Sequence, residues 1–422
     1  MKNERRNSYN KKVGSPRVEL CSVSLVCLFV MLGNISFAAK AVPIQISNWY
    51  LEPTVDVTFG RSEAEFFAGN ETTDDFYVGV NPKVVLSNKT QNREIFFSYE
   101  LDAVRFDENS EGDFESSFFE GEYRQSVSNH SVVSIRGDYR ESSQTNGVRS
   151  ELQAINPISE NQRIDIEAKE LVLKYEFYGK KRQKTGHLFE VSIAAGETDF
   201  IAIGDDVPSL AAVEDRDFDF LRFDVKWRYR WSTGSSVFVN FNTIDHDFRE
   251  DNITFNSQLD NLQTEFVVGA ELQFRRNFSG EIGIGIVNKS FDDLDLDIDT
   301  PSFYGELEYT PTALDTFQLE AQRRPLNQAG SGLFQDYREI ELSWLRRFSR
   351  RWSFETFVSA AAVDYEQSVR EDDIFRYGVS LEYRVSRISD LVFGYRFIDD
   401  DSNQDEFDYN AENFFITIST GL

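Results

Sequence analysis

From Leu221 to Trp231 the chain alternates residue by residue. Leu221, Phe223, Val225, Trp227, Tyr229 and Trp231 are apolar or aromatic, and Arg222, Asp224, Lys226, Arg228 and Arg230 are ionised. A period of two sends these sets to opposite faces of an extended strand. One face is continuously greasy while the other stacks five charges, a division that suits lipid on one side and water on the other. The theme returns at Ile95–Leu101, Leu171–Phe177 and Leu391–Phe397.

Composition sharpens this reading. The chain carries 38 Phe, 17 Tyr and 5 Trp with only 9 Pro, yet 27% of its residues are charged. No apolar run after residue 41 reaches the roughly 20 residues that a membrane helix needs. A transmembrane β-barrel reconciles the two facts, because only every second residue has to face lipid.

Strands are expected near 50–60, 76–87, 93–106, 117–127, 132–140, 164–178, 187–196, 218–231 and 236–245. The second half adds 264–275, 281–290, 302–310, 317–324, 337–348, 352–364, 375–385, 390–398 and 411–422. The fold class is all-β: a transmembrane, antiparallel, up-and-down barrel of about 18 strands, with 16 as the alternative. Connections alternate short and long. Short ones include 88–92, 128–131, 232–235 and 349–351; long ones include 61–75, 141–163, 197–217, 246–263 and 399–410. Short periplasmic turns and long external loops produce that order. Charge follows the same division. Acids crowd 107–115, 292–299 and 399–406, whereas Lys180–Arg182, Arg275, Arg276, Arg350, Arg351, Arg384 and Arg387 sit at short turns. With both termini periplasmic, Trp49, Trp227, Trp231, Trp344 and Trp352 all fall toward the periplasmic ends, as interfacial aromatics do.

The first residues read as a leader. Lys2, Arg5, Arg6, Lys11, Lys12 and Arg17 precede the apolar run Leu20–Leu32, and small residues follow at Ser36, Ala38, Ala39 and Ala41. This is the layout of a secretory signal peptide, taken as residues 1–38, with the barrel at 39–422. Both cysteines, Cys21 and Cys27, lie inside the leader, so the mature chain has neither disulfides nor thiolate metal sites. Removing a segment of net charge +4 takes the chain from −28 to −32, and so strong an acidity excludes nucleic acid as a partner. The partners expected are outer-membrane lipid and lipopolysaccharide.

The run Leu51–Val57 opening the first strand, Asn81–Leu86 in the second, and the segments Arg93–Phe106 and Val133–Arg140 resemble the putative β-barrel porin 2 family. The likeness covers the mature chain and rests on pattern and order, not on a tight motif. It implies an outer-membrane barrel of a Gram-negative bacterium, often found with exopolysaccharide systems and their periplasmic export components. It carries over no functional residue.

Strand parity turns Glu94, Glu100, Asp102, Glu120, Glu122 and Asp138 inward, with Arg124, Arg136 and Arg140 among them. A second basic group is Arg222, Lys226, Arg228 and Arg230, against Asp224 alone on the same face of the strand. These seven cations are the candidate lumen-lining residues. Two readings stand side by side: a wall that selects polar or anionic solutes, polysaccharide included, or charges that pair between strands and hydrate or close the lumen. The acidic run 292–299 has carboxylates for Ca²⁺ but lacks the glycine-bearing turn of an EF-hand loop, so a solvated loop is the simpler reading and no metal site or cofactor is expected. Of the three histidines, His246 stands between Asp245 and Asp247 at the start of a long loop, an external pair of the kind a surface hydrolase uses. No serine nucleophile signature accompanies it, and the chain is read as a channel and not an enzyme. A closed structural or docking barrel, plugged by ion pairs or an infolded 197–217, is the alternative.

Overall fold

The computed structural model describes residues 43–421 except 67–70, 109–112, 145–162, 180–184, 204–216, 232–233, 250–258, 275–276, 293–296, 328–333, 366–368 and 405–407. The expected leader, the turn cations Lys180–Arg182, Arg275 and Arg276, and most of the 197–217 connection lie outside the described residues. Among those described, no helix is long and apolar enough to cross a membrane.

A short strand β1 (Ile44–Ile46) precedes eighteen long ones. These are β2 (Trp49–Phe66), β3 (Glu71–Lys89), β4 (Arg93–Phe106), β5 (Phe114–Ser126), β6 (Ser131–Gln144), β7 (Arg163–Tyr178), β8 (Gly186–Ile203), β9 (Phe218–Arg230) and β10 (Ser236–Phe248). They continue as β11 (Asn261–Phe274), β12 (Phe278–Phe291), β13 (Asp297–Tyr309), β14 (Asp315–Asn327), β15 (Phe334–Arg347), β16 (Trp352–Tyr365), β17 (Glu371–Arg384), β18 (Ser389–Ser402) and β19 (Tyr409–Gly421). Each long strand pairs antiparallel with its sequence neighbours. Strand β19 closes on β2 in register from Tyr409↔Phe66 to Gly421↔Thr54, so the barrel has no free edge. Strand β1 folds back on β2 (Ile44↔Leu51) and occupies the space just past the end of β19. All eighteen expected strands are present, and sixteen is excluded.

The interior is identified by contacts that reach over an intervening strand, which only a concave face permits. Arg124 on β5 meets Glu176 on β7, Tyr77 on β3 donates to Asn413 on β19 at 2.9 Å, and Phe238 on β10 stacks near Tyr304 on β13. Around the opposite face run exposed apolar side chains, among them Phe59, Tyr99, Leu171, Ile193, Leu221, Ile284 and Phe393. Close inner packing also explains several glycines. A Cβ on Gly269 or Gly283 would fall within the ring of Phe238 or Tyr304, which lies over the bare backbone.

The strands hold 13 to 19 residues, whereas a tilted membrane strand needs about 9–11. The surplus lies at the long-loop end and corrects the expected loop boundaries. Residues 61–66, 71–75, 141–144, 197–203, 246–248, 297–300 and 399–402 are strand, not loop. There the alternation inverts. Asp245, Asp247, Asp297, Asp299, Asp399 and Asp401 are exposed on the outer face, while Phe248, Phe291, Val363, Tyr365, Ile374 and Ile398 are buried on the inner one. The inward apolar residues form three clusters, centred on Tyr77, Val104 and Phe114, on Phe248, Leu259 and Phe291, and on Tyr337, Val363, Tyr365 and Ile374. Beyond the hydrocarbon layer the outer face meets water, so the apolar side chains go inward by the same hydrophobic effect that turns them outward in the belt. Ion pairs fasten the outer surface at this level. Arg249 reaches Asp199 at 2.6 Å and Asp219 at 2.7 Å, and the Asp219 hydrogen bond raises the guanidinium pKa above its ordinary value. Lys169 lies 2.8 Å from Glu167 and 2.7 Å from Glu197.

All five tryptophans lie at the short-turn end. Trp344 stacks on Phe317 with ring centroids 6.0 Å apart and meets Phe354 at 5.9 Å; Trp352 packs on Tyr383 at 4.5 Å. This is an aromatic girdle at one membrane boundary.

Candidate functional site

The inner wall within the apolar belt carries the charged groups that could act on a solute. Along β5 to β9 the cations singled out from sequence face inward, and six of the seven have a carboxylate within ion-pair distance. Arg124 Nη2 lies 2.7 Å from Glu176 Oε2, which also accepts from the Tyr178 hydroxyl at 2.7 Å. Arg136 contacts Asp138 at 2.9 Å and Glu170 at 3.6 Å, and Arg222 pairs with the other oxygen of Glu170. Lys226 Nζ is 3.4 Å from Glu281 and stands 4.2 Å above the centre of the Phe238 ring. Arg228 and Arg230 share Glu271, at 2.7 and 3.0 Å, and the Ser236 hydroxyl donates to the same carboxylate at 2.7 Å. Arg140 differs. Its guanidinium lies 5.4 Å from the centre of the Phe118 ring, and no carboxylate among the described residues is within ion-pair distance.

Asp224, the inward-facing acid of the basic strand, takes no part in this pairing; it accepts from Asn240 at 3.1 Å. The four cations of β9 are balanced from β7, β11 and β12, partners up to three strands away. Counting charge along one strand therefore overstates how basic this wall is.

The external Asp–His pair is not formed. His246 is in β10, not in a loop, and points inward; it is 6% exposed, edge-on to Phe218 at 5.3 Å. Asp245 and Asp247 are exposed on the other face, because neighbours along a strand point apart. Asp297 and Asp299 likewise belong to β13, with Asp299 accepting from Asn288 at 3.0 Å, and the middle of the acidic run, 293–296, is outside the described residues.

What strand-by-strand reading missed lies on the next arc. Register places Glu271 opposite Glu281, Glu281 opposite Glu306, Glu306 opposite Glu320, and Glu320 opposite Glu341. Five inward carboxylates thus stand side by side across β11 to β15. Each strand alone shows an unremarkable glutamate; the signal was its recurrence on the inward parity of five successive strands. Tyr304, Glu306, Glu320, Gln322 and Glu339 line a hollow on this arc. Gln318 donates to Glu306 at 3.3 Å and to Glu320 at 2.8 Å, Gln322 donates to Glu339 at 2.9 Å, and Arg376 reaches Glu339 at 3.2 Å. Among the described residues no cation lies within 4.0 Å of Glu306, Glu320 or Glu341.

Residues 38–420 match the family model described as Putative beta-barrel porin 2. No curated protein matches the sequence. Among solved structures the chain is similar to OccK2 (OpdF) of Pseudomonas aeruginosa, at 8% identity and a TM-score of 0.47 over 88% of this chain and 98% of that one. It is similar to OpdK of Pseudomonas aeruginosa at 11% identity and a TM-score of 0.46, over 88% and 98% of the two chains. It also resembles the copper transporter OprC, at 9% identity and a TM-score of 0.50 over 90% of this chain and 81% of that one. At 9% identity the likeness to OprC speaks to the fold alone; the family match spans nearly the whole chain. A closed eighteen-strand barrel with an apolar belt, an aromatic girdle and a charged interior accords with it, and the chain belongs to the Putative beta-barrel porin 2 family, as a porin-like β-barrel of the bacterial outer membrane.

Proposed function

We propose that this barrel, exported by the leader at residues 1–38, is a non-enzymatic passage for polar solutes across the outer membrane, polysaccharide of an exopolysaccharide system among them. The observation that carries the reading is the charged inner wall of a closed eighteen-strand barrel, a size at which natural barrels enclose an aqueous channel. Arg124, Arg136, Arg222, Lys226, Arg228 and Arg230 line that lumen in this reading, and their ion pairs leave the β5–β9 wall hydrated and near neutral instead of anion-selecting. Of the seven cations, Arg140 is the one without a carboxylate at ion-pair distance among the described residues. Purified barrel in planar bilayers is expected to give discrete conductance steps. Absence of any step at all would reject the passage. A deletion strain that exports its polymer normally would reject the polysaccharide role while leaving solute passage standing.

A second reading is favoured by a specific observation: the inward residues at the loop end are apolar and buried in three clusters. A barrel shut there would act as a docking or structural element for periplasmic export components, without conductance, and pull-down through its short turns would recover them.

A further inference from the structure

We propose that the wall formed by β11 to β15 is a cation path, and that Glu306, Glu320 and Glu341 make the lumen select cationic solutes over anionic ones. The inference deepens the reading of the barrel as a passage and rests on it.

The geometry begins with register. Side chains directly opposite on neighbouring antiparallel strands have Cβ atoms about 4.5–5.5 Å apart, and like charges so placed repel. Here Glu271, Glu281, Glu306, Glu320 and Glu341 follow one another through four such pairings. The row also climbs. Glu271 and Glu306 lie three residues before the ends of β11 and β13, Glu320 five residues into β14, and Glu341 six before the end of β15. Strands tilted to the barrel axis turn a perpendicular row into a spiral, so the carboxylates rise from the short-turn end toward mid-barrel.

Compensation differs along this spiral. At its lower end Arg228, Arg230 and Lys226 neutralise Glu271 and Glu281. Beyond that, Glu306 and Glu320 accept from the neutral amide of Gln318, and among the described residues no cation lies within ion-pair distance of Glu306, Glu320 or Glu341. An independent observation lies at the next position. Ser359 on β16 is directly opposite Glu341, on the same inner face; it is 2% exposed, and its Oγ has no hydrogen-bond partner among the described residues. A buried hydroxyl is ordinarily satisfied. An oxygen left open beside a carboxylate row is a ready ligand for a hard cation or an ammonium group. Three carboxylates with no cation at ion-pair distance among the described residues, and an open hydroxyl, together leave a place for positive charge supplied by the solute. Rings and rows of carboxylates in a pore select cations in this way, by raising their local concentration.

The test is the zero-current potential of the purified barrel in a planar bilayer across a KCl gradient. Wild-type barrel is expected to pass K⁺ over Cl⁻ by about threefold or more. The triple variant Glu306→Gln, Glu320→Gln, Glu341→Gln removes the charges but keeps an oxygen that can accept from the Gln318 amide, and is expected to bring the ratio close to one. A conducting wild type with no preference, or with preference for Cl⁻, overturns the inference and leaves the passage standing, and it needs no variant to fold. A preference that survives in the folded triple variant also overturns it. Loss of all conductance in wild type rejects the passage and the inference with it.

Discussion

Two arcs of the same barrel invite comparison. The wall from β5 to β9 and the wall from β11 to β15 are both antiparallel and both turn apolar side chains outward. On the first, cations and carboxylates interleave, and the basic strand β9 borrows its counter-charges from β7, β11 and β12. On the second, five glutamates stand in register, and among the described residues only the lower two have a cation at ion-pair distance. Charge is a property of walls, not of strands. Strand β9 looks like the exceptional feature by itself, yet its charge is largely spent, whereas the modest glutamates of β12 to β15 add up.

Substitutions that break this contrast should differ in size. The largest effect is expected for Glu271→Ala, which strips one carboxylate from two arginines, of which Arg228 is only 16% exposed. Leaving partly buried charge unpaired should cost about 2 kcal/mol, read as a lower urea midpoint for unfolding from lipid vesicles. Glu320→Lys should act in the opposite direction. A cation between Glu306 and Glu341 relieves repulsion along the row and should stabilise the barrel by roughly 1 kcal/mol while lowering its preference for K⁺. Glu170→Gln removes the shared partner of Arg136 and Arg222. Half-exposed pairs of this kind are worth up to about 1 kcal/mol, so its clearer signature is a zero-current potential moved toward anions. Arg140→Gln should be the mildest, since it loses only the ring contact with Phe118, roughly 0.5 kcal/mol at an open site; a larger loss would mean that Arg140 has a carboxylate partner after all.

A substitution at the loop end tests the inverted pattern. Val363→Ala, at a position with 0% exposure in the inner apolar cluster, should cost about 1–2 kcal/mol, whereas the same change at an outward belt valine such as Val379 should cost less in lipid.

Much of the barrel was legible because its signal is local. Eighteen strands, the short and long connections and the tryptophans at one end all follow from a period of two read over ten residues at a time. The loop-end extensions were missed for a physical reason. Past the lipid boundary Asp297, Asp299, Asp399 and Asp401 occupy the outward parity, so a search for apolar outward residues stops one or two turns of the pleat too early. His246 was misplaced by the same error: once β10 runs to Phe248, parity alone sends the histidine inward, away from both aspartates.

Within the apolar belt, the sequence by itself determined which charged side chains turn away from lipid, because alternation with the belt leaves no choice of face there. It also determined that this wall would be ionised, from Arg124 and Arg136 to Arg228 and Arg230. Tertiary structure alone decided which charges meet. Pairing between β9 and β12 depends on the curvature that brings inward side chains together over two intervening strands, and the glutamate row depends on the register of four successive ladders. A one-residue slip in any of them would turn a carboxylate to lipid and break the row.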